Sequence, residues 1–443
     1  MEVRTPHGLR IVGAALALVL AGGAGAAVQG WDGWDDGRGD RERAHHKDRD
    51  HGRHGHDRGR AKNVIFIVGD GMGIAHRELI RLATVGRDGE LAMNQLRYQG
   101  WTQTDPADPE EVVTDSAAGA TAFATGVRSY NGAIAVDLER NPVTTLLERA
   151  ERAGKSTGLV TTSQVTDATP AAFGAHVEDR SNQSEIARQY LEESRPEVIL
   201  GGGEDWWYPE GEEGAFPDNP PSDPSEASKG TAGNLVDRAV ELGYTYVTDA
   251  DALDAAPSRG RLLGLFANEE MFEHTGPAAP LYDPPVRLPD MAAKALEVLS
   301  RDRDGFFLLI EEEGIDEMAH HGHAAELIEA GQALDETVAL AREFAAEHDD
   351  TLVVVVGDHE TGGLAIELVD DEDESGQGEQ EEEGPFTLAG TEQTFTVDWT
   401  TGGHTGAATP ASAEGPGARA MVDVRDNTDI HDLVLEAMRL RRR

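Results

Sequence analysis

The sequence predicts an α/β fold: a three-layer α/β/α sandwich around a mostly parallel sheet, carrying an inserted cap-like segment. Short continuous apolar runs, NVIFIVG, STGLVTT, EVILGGG, FFLLIEE and TLVVVVGD, recur from residue 63 onward. Each suits a strand buried on both faces. Amphipathic stretches such as TTLLERAERAG and AAELIEAGQALDETVALAREFAAE lie between them and supply crossover helices. The rhythm breaks over residues 205 to 290, where Trp206, Trp207, PDNPPSDPSE and YDPPVRLP point to an insertion over the sheet edge.

Taken in order, residues 1–26 read as an export signal: basic Arg4 and Arg10, an apolar run from Ile11 to Leu20, then the small-residue cleavage site Ala24-Gly25-Ala26. The apolar run is short for a membrane anchor. A periplasmic or secreted protein is expected, with no membrane span once the signal is removed. Residues 27–61 form a linker rich in His, Arg and Asp; its stretch 31–60 has no apolar periodicity and reads as disordered. Five histidines lie in it, but nothing there fixes a ligand geometry. Residues 62–443 read as the folded body of the chain, with the insertion at 205–290 and an exposed acidic loop at 370–384. No internal repeat is visible.

A chain of 443 residues with 39% hydrophobic content can bury a sizeable core. There is no cysteine, so disulfides, Cys-ligated zinc and a thiol nucleophile are all excluded. Any metal must sit on His, Asp or Glu. The formal charge of -45 belongs almost entirely to the body of the chain, because residues 31–60 carry eight acids against eight Lys and Arg. Nucleic acid is therefore an unfavourable partner. So many carboxylates with so little Lys suit a surface kept soluble where salt screens its self-repulsion, an acidic salt-adapted protein.

Ligands in doubly wound sheets bind just past the carboxyl ends of the strands. After VIFIVG comes Asp70; after GLVTT come Asp167 and Thr169; after FFLLI come Glu311 and Asp316; after LVVVV come Asp358 and His359. Singly, an Asp-Gly after a strand is usually a turn, and a run of Glu is usually a solvated face. Jointly, carboxylates converging on one crevice repel and raise each other's pKa, an arrangement that cations make tolerable. His with Asp suits zinc; Asp, Thr and Glu suit magnesium. Asp316 and His320 are four apart and face one ion on a helical turn, with His321 and His323 competing for that role. His404 stands in the Gly-bracketed loop TTGGHTG, placed to bring an imidazole from a distant segment.

In TDSAAGATAFATG, Ser116 stands at the cap end of a helix-compatible segment closed by Gly126. Alone, this stretch reads as a capping serine. The segments VGDGMG, TDSAAGATAFATG, TDATPAAFGAHVEDR, EEEGIDEMAHH, GDHETGGL and GGHTG together resemble the alkaline phosphatases, in matching order over roughly residues 62–440. The resemblance implies a phosphomonoesterase that forms a covalent phosphoserine on Ser116 at a site with two zincs and one magnesium, and releases inorganic phosphate. By motif, Asp316, His320 and His404 would hold the first zinc, and Asp70, Asp358 and His359 the second. Asp70 would bridge to magnesium with Thr169 and Glu311, while Asp167 reaches that ion through water. Arg180 looks like the family's phosphate clamp; a guanidinium can grip two nonbridging oxygens in a fork. A homodimer is a further family expectation.

Three departures from the family stand out. Glu317 occupies a position where relatives carry Lys or His, and its charge would weaken phosphate binding and strengthen cation binding at the third metal. Glu311 and Glu313 share a strand face, and the five-residue offset to Asp316 favours Glu311. The enteric members use disulfides, and this chain has none. Two other readings compete with a phosphomonoesterase. Superfamily phosphodiesterases and phosphonate hydrolases usually place Thr or a modified residue as nucleophile and lack the DSAAGATA context. A catalytically silent metal-binding surface protein would keep the fold without needing Ser116.

Overall fold

The computed structural model describes residues 59–221, 223–273, 280–369 and 382–440. The expected signal peptide, nearly all of the linker and most of the acidic loop lie outside the described residues. Among the described residues fourteen strands follow in chain order. The first eight are β1 (Asn63–Gly69), β2 (Tyr98–Thr102), β3 (Ser156–Gln164), β4 (Val198–Gly202), β5 (Tyr244–Val247), β6 (Arg261–Leu265), β7 (Phe306–Glu312) and β8 (Thr351–Gly357). The rest are β9 (Glu360–Thr361), β10 (Ala365–Glu367), β11 (Glu383–Thr387), β12 (Thr394–Asp398), β13 (His404–Thr405) and β14 (Thr409–Glu414).

Nine of them form the central sheet in the order β2-β14-β8-β1-β7-β3-β4-β6-β5. All neighbours from β8 to β5 pair in parallel, and only β14 runs against β8 and β2. Every residue of β1, β7 and β8 is buried, as a strand covered on both faces requires. Alternate residues of β1 face opposite layers. Val64, Phe66 and Val68 pack with Phe123, Leu147, Phe173, Ile186 and Val434, from the helices Ser116–Thr125, Leu146–Arg152, Ala168–Gly174, Gln183–Gln189 and Asn427–Met438. Ile65 and Ile67 pack with Ile80, Met291 and Leu334, from the helices Ile74–Thr84, Leu288–Leu299 and Ala324–Glu347. This is the expected three-layer sandwich.

The insertion expected over residues 205–290 needs correction, because β5 and β6 arise within it and complete one edge of the sheet. YTYV and RLLGL are short, and the two middle residues of β5 are only half-buried at that edge, so neither shows the continuous apolar run of an inner strand. What remains irregular among the described residues is 207–221, 223–234, 266–273 and 280–287. The first is braced by buried Glu204, which accepts from Ala215 N at 2.8 Å and Phe216 N at 3.0 Å. Of the acidic tract, Glu383 and Gly384 enter β11, which pairs with β12. No helix among the described residues is long and apolar enough to cross a membrane.

Candidate active site

The strands β8, β1, β7 and β3 are adjacent and parallel, so Asp358 and His359, Asp70, Glu311 and Asp167 emerge side by side at one edge. The helix Ser116–Thr125 reaches the same place. Its cap is Asp115, not Ser116: Asp115 Oδ1 accepts from Ala118 N at 2.9 Å and Oδ2 from Gly132 N at 2.9 Å. Ser116 is thus the first helical residue, with its hydroxyl freed from capping. Ser116 Oγ lies 3.1 Å from His359 Nε2. Gly126 closes the helix with a φ of 73°, as its position in the motif suggested.

Three imidazoles are oriented by groups that leave Nε2 facing the site. His320 Nδ1 donates to Gly402 O at 2.8 Å, and His404 Nδ1 to Thr114 O at 2.9 Å. Carbonyls only accept, so each of these nitrogens carries a proton. Thr361 Oγ1 donates to Asp316 Oδ1, which makes His359 Nδ1, 3.2 Å from that hydroxyl, the donor to it. The lone pairs then converge. His320 Nε2 and His404 Nε2 are 3.1 Å apart, and they lie 3.2 Å from Asp316 Oδ2 and 3.8 Å from Asp316 Oδ1 respectively. His359 Nε2 lies 3.3 Å from Asp70 Oδ1 and 3.4 Å from Asp358 Oδ2.

Opposed lone pairs and carboxylates at such distances call for a cation between them. Two sets have ligand atoms all within 4.8 Å of one another: Asp316, His320 and His404, and Asp70, Asp316 and His359. The residues fit zinc by number and type. A proton can stand in for part of that charge: against the cost of burial, Asp316 raises His320 to about 9. Despite its own burial, Asp316 is held below the usual carboxylate range by His320, His359 and His404. Burial, with the nearby His404, keeps the His359 ring neutral.

The remaining carboxylates lack any such balance. Burial, then Asp358, Asp316, Glu311 and Glu313, push Asp70 up; burial, Asp316 and Glu311 push Asp358 up. Asp70 Oδ1, Asp358 Oδ2 and Thr169 Oγ1 are buried without a hydrogen-bond partner. Burial also raises Glu311 to about 7, although Thr161 Oγ1 donates to its Oε2 at 2.6 Å. Asp70, Thr169 and Glu311, with Asp167 close by, are thus an oxygen set of the kind magnesium takes. Glu312 points away from them and is satisfied by Tyr282 Oη at 2.5 Å, Thr162 Oγ1 at 2.8 Å and Gly314 N at 3.0 Å.

Arg180 Nη2 donates to both oxygens of Asp167 at 2.9 Å, and Nη1 lies 3.5 Å from Asp115 Oδ2. The guanidinium is therefore held beside Ser116's helix start. Half-buried Glu317 bears on His320 and Glu313. His321 and His323 join neither ligand set; their rings face one another at 6.5 Å. The sequence reading missed Asp115, Thr361 and Thr161, which hold Arg180, His359 with Asp316, and Glu311. Asp115 and Thr361 sit inside quoted motifs, next to Ser116 and two residues after His359, but their polar types alone carry no role.

Gly71 shows how tightly this edge is built. Its φ is +65°, its N–H donates to Asp358 Oδ1 at 3.1 Å, and a Cβ there would stand 2.4 Å from Asp316 Oδ1 and 2.8 Å from Asp316 Cα. Gly71→Ala is expected to cost roughly 1–2 kcal/mol from the left-handed backbone alone. The resulting displacement of Asp316, if it reaches about 1 Å, is expected to lower kcat by about 100-fold. Thermal melting and steady-state kinetics check the two effects.

The family model for alkaline phosphatase matches residues 61–394. The chain belongs to the alkaline phosphatase family. It is 35% identical to streptomycin-6-phosphate phosphatase of Streptomyces griseus, over 86% of this chain and 91% of that protein. It is 30% identical to alkaline phosphatase 3 of Bacillus subtilis, over 85% and 89%. Alkaline phosphatase 4 of the same organism is 34% identical over 70% of this chain and 64% of its own length. Among solved structures, the alkaline phosphatase of the Antarctic bacterium TAB5 superposes with a TM-score of 0.69 at 26% identity, covering 86% of this chain and 99% of that one. A TAB5 variant with magnesium bound in its M3 site matches with a TM-score of 0.68 at 27% identity, covering 86% and 99%. Hydrolysis of phosphate monoesters is the activity that goes with this alkaline phosphatase.

Proposed function

We propose that the protein is an exported alkaline phosphatase that forms a covalent phosphoserine on Ser116 and uses two zinc ions and one magnesium ion. The observation that carries this reading is Ser116 Oγ at 3.1 Å from His359 Nε2, among carboxylates whose buried oxygens have no partner. Asp316, His320 and His404 would hold one zinc; Asp70, Asp358 and His359 the other; Asp70, Thr169 and Glu311 the magnesium, with Asp167 outside it. Bound there, the ions supply the positive charge that lowers a hydroxyl's pKa and stabilises a departing alkoxide.

The chain's own groups supply the rest. Asp115 fixes the helix start so that Ser116 Oγ faces the entering phosphorus, at the positive end of the helix. Arg180, oriented by Asp167 and Asp115, takes two nonbridging oxygens of the phosphate. Oγ forms a bond to phosphorus as the ester oxygen leaves; water then breaks the Oγ–P bond and releases inorganic phosphate. Thr361 and the carbonyls of Thr114 and Gly402 keep the three imidazoles aligned throughout.

The test joins metal analysis to kinetics on p-nitrophenyl phosphate and on bis-p-nitrophenyl phosphate. We expect zinc and magnesium in the purified protein and a strong preference for the monoester. Metal-free protein with full activity, or a preference for the diester, overturns the reading. Export is checked by fractionating cells that express the full chain.

A further inference from the structure

The stretch 104–115 joins β2 to the helix Ser116–Thr125 and contains no helix or strand of its own, yet it leads directly into Ser116. Its last peptide unit has two partners. Thr114 C=O and Asp115 N–H belong to that single planar unit and point opposite ways. Thr114 O accepts from His404 Nδ1 at 2.9 Å, and Asp115 N donates to Asn131 Oδ1 at 3.1 Å. The His404 imidazole and the Asn131 amide therefore stand at the two ends of one hydrogen-bonded chain, in which each bond polarises the next.

The same amide holds the preceding unit as well, because Asn131 Nδ2 donates to Val113 O at 2.9 Å. Both peptide units that flank Thr114 are pinned by one side chain. An amide offers an acceptor on one side and donors on the other, which is what a backbone N–H and a backbone C=O two residues apart require. Asn131 is itself fixed from behind, its N–H donating to Asp108 Oδ2 at 3.2 Å. Gly132 continues the bracket: its N–H donates to Asp115 Oδ2 at 2.9 Å, and its C=O accepts from Arg180 N at 2.9 Å. Asn131 and Gly132 thus bond to the segments that carry Ser116 and Arg180 and, through Thr114, to His404.

We propose that Asn131 is a positioning residue of the reaction: by holding the Thr114–Asp115 peptide unit it sets the place of Ser116 and the aim of His404 together. The proposal rests on the reading of Ser116 as nucleophile and His404 as zinc ligand, and adds the side chain that ties the two. Its contacts are to backbone, so it acts only through them. With the amide gone, the peptide unit is free to rock; the carbonyl that orients His404 and the N–H that leads into Ser116 move with it. Loss of an orienting partner behind a ligating imidazole costs about 10- to 100-fold in metal affinity or activity.

The test follows Asn131→Ala by three readouts: kcat for p-nitrophenyl phosphate, the rate of zinc release to a chelator, and the His404 Nδ1–H resonance in protein labelled with nitrogen-15 histidine. We expect kcat to fall and zinc release to rise, each by about tenfold or more, and the resonance to shift or broaden. Asn131→Asp keeps the acceptor for Asp115 N but not the donor to Val113 O, so it should keep the resonance near its wild-type position and serves where alanine fails to fold. Arg128→Ala is the control for simple loosening. Arg128 ties Asp105, in the same irregular stretch, to Asp426 and makes no bond to the bracket, so its loss should lower the melting temperature and leave all three readouts near wild type. If Ser116→Ala keeps its activity while Asn131→Ala still speeds zinc release and moves the resonance, the nucleophile reading fails and the bracket on His404 stands. Zinc release and a resonance unmoved by Asn131→Ala, or an Arg128→Ala variant that reproduces its effects, overturns the proposal.

Discussion

Ser116→Ala is expected to lower kcat for p-nitrophenyl phosphate by about a million-fold, as removal of a nucleophilic serine does elsewhere. Metal content and melting temperature should stay close to wild type. Ser116 is the first residue of its helix, and the capping bonds belong to Asp115, so alanine there breaks no structural contact except the one to His359. Rapid quenching of the wild type at acid pH with a labelled monoester should trap phosphate on the chain, and the variant should trap none. A variant that keeps more than a tenth of the activity would show that another oxygen attacks phosphorus.

Asp358→Asn is expected to change activity and stability in opposite senses. Asp358 is fully buried; its Oδ1 accepts from Gly71 N at 3.1 Å and His359 N at 3.0 Å, while Oδ2 has no partner and lies 3.4 Å from His359 Nε2. Asparagine keeps both accepted bonds and turns an amide N–H toward the imidazole lone pair. The chelated variant should therefore melt above the chelated wild type, by roughly 1 °C for about 1 kcal/mol recovered. With zinc in excess the order reverses, because a ligand at 100 times its Kd adds about 2.7 kcal/mol to the wild type. Activity should fall by at least about 100-fold with loss of a charged ligand.

The pH dependence of the chelated wild type follows from the same groups. Asp70 is raised well above its ordinary value by burial and then by Asp358, Asp358 by burial and then by Asp316, and Glu311 to about 7 by burial. Raised carboxyls favour the folded state while protonated. Their contribution is complete below the ordinary carboxylate pKa, near 4, and is lost as pH rises through the folded-state values. Chelated wild type should lose stability from about pH 4 through neutrality, and Asp358→Asn should lose less of it. Denaturant unfolding at several pH values with excess chelator measures this, and a flat profile would show that the acids are balanced by groups within the fold.

The inner strands were legible because burial on both faces demands unbroken apolar runs, and β1, β3, β4, β7 and β8 all carry them. The edge strands were not. β2 alternates between half-buried and exposed residues, β5 has two half-buried residues between buried ends, and β14 is built from small residues in TPASAE, so none stands out from loop composition. For the same reason the stretch 205–290 reads as an insertion although two sheet strands lie in it.

Sequence alone determined the chemistry on offer: with no cysteine, every ligand had to be His, Asp, Glu or Thr, and the order of the motifs named a family, with Ser116 in the motif where we propose the nucleophile. Tertiary structure decided which of these groups meet. Asp70, Asp358 and Glu311 are far apart along the chain and become neighbours only because β8, β1 and β7 are adjacent in the sheet. It also separated Glu311 from Glu312 and left Glu313 Oε2 without a hydrogen-bond partner, a distinction that three identical side chains cannot carry in sequence. The physical reason is that residue type sets what an atom can donate or accept, whereas burial and the neighbours brought by packing set whether its charge is balanced.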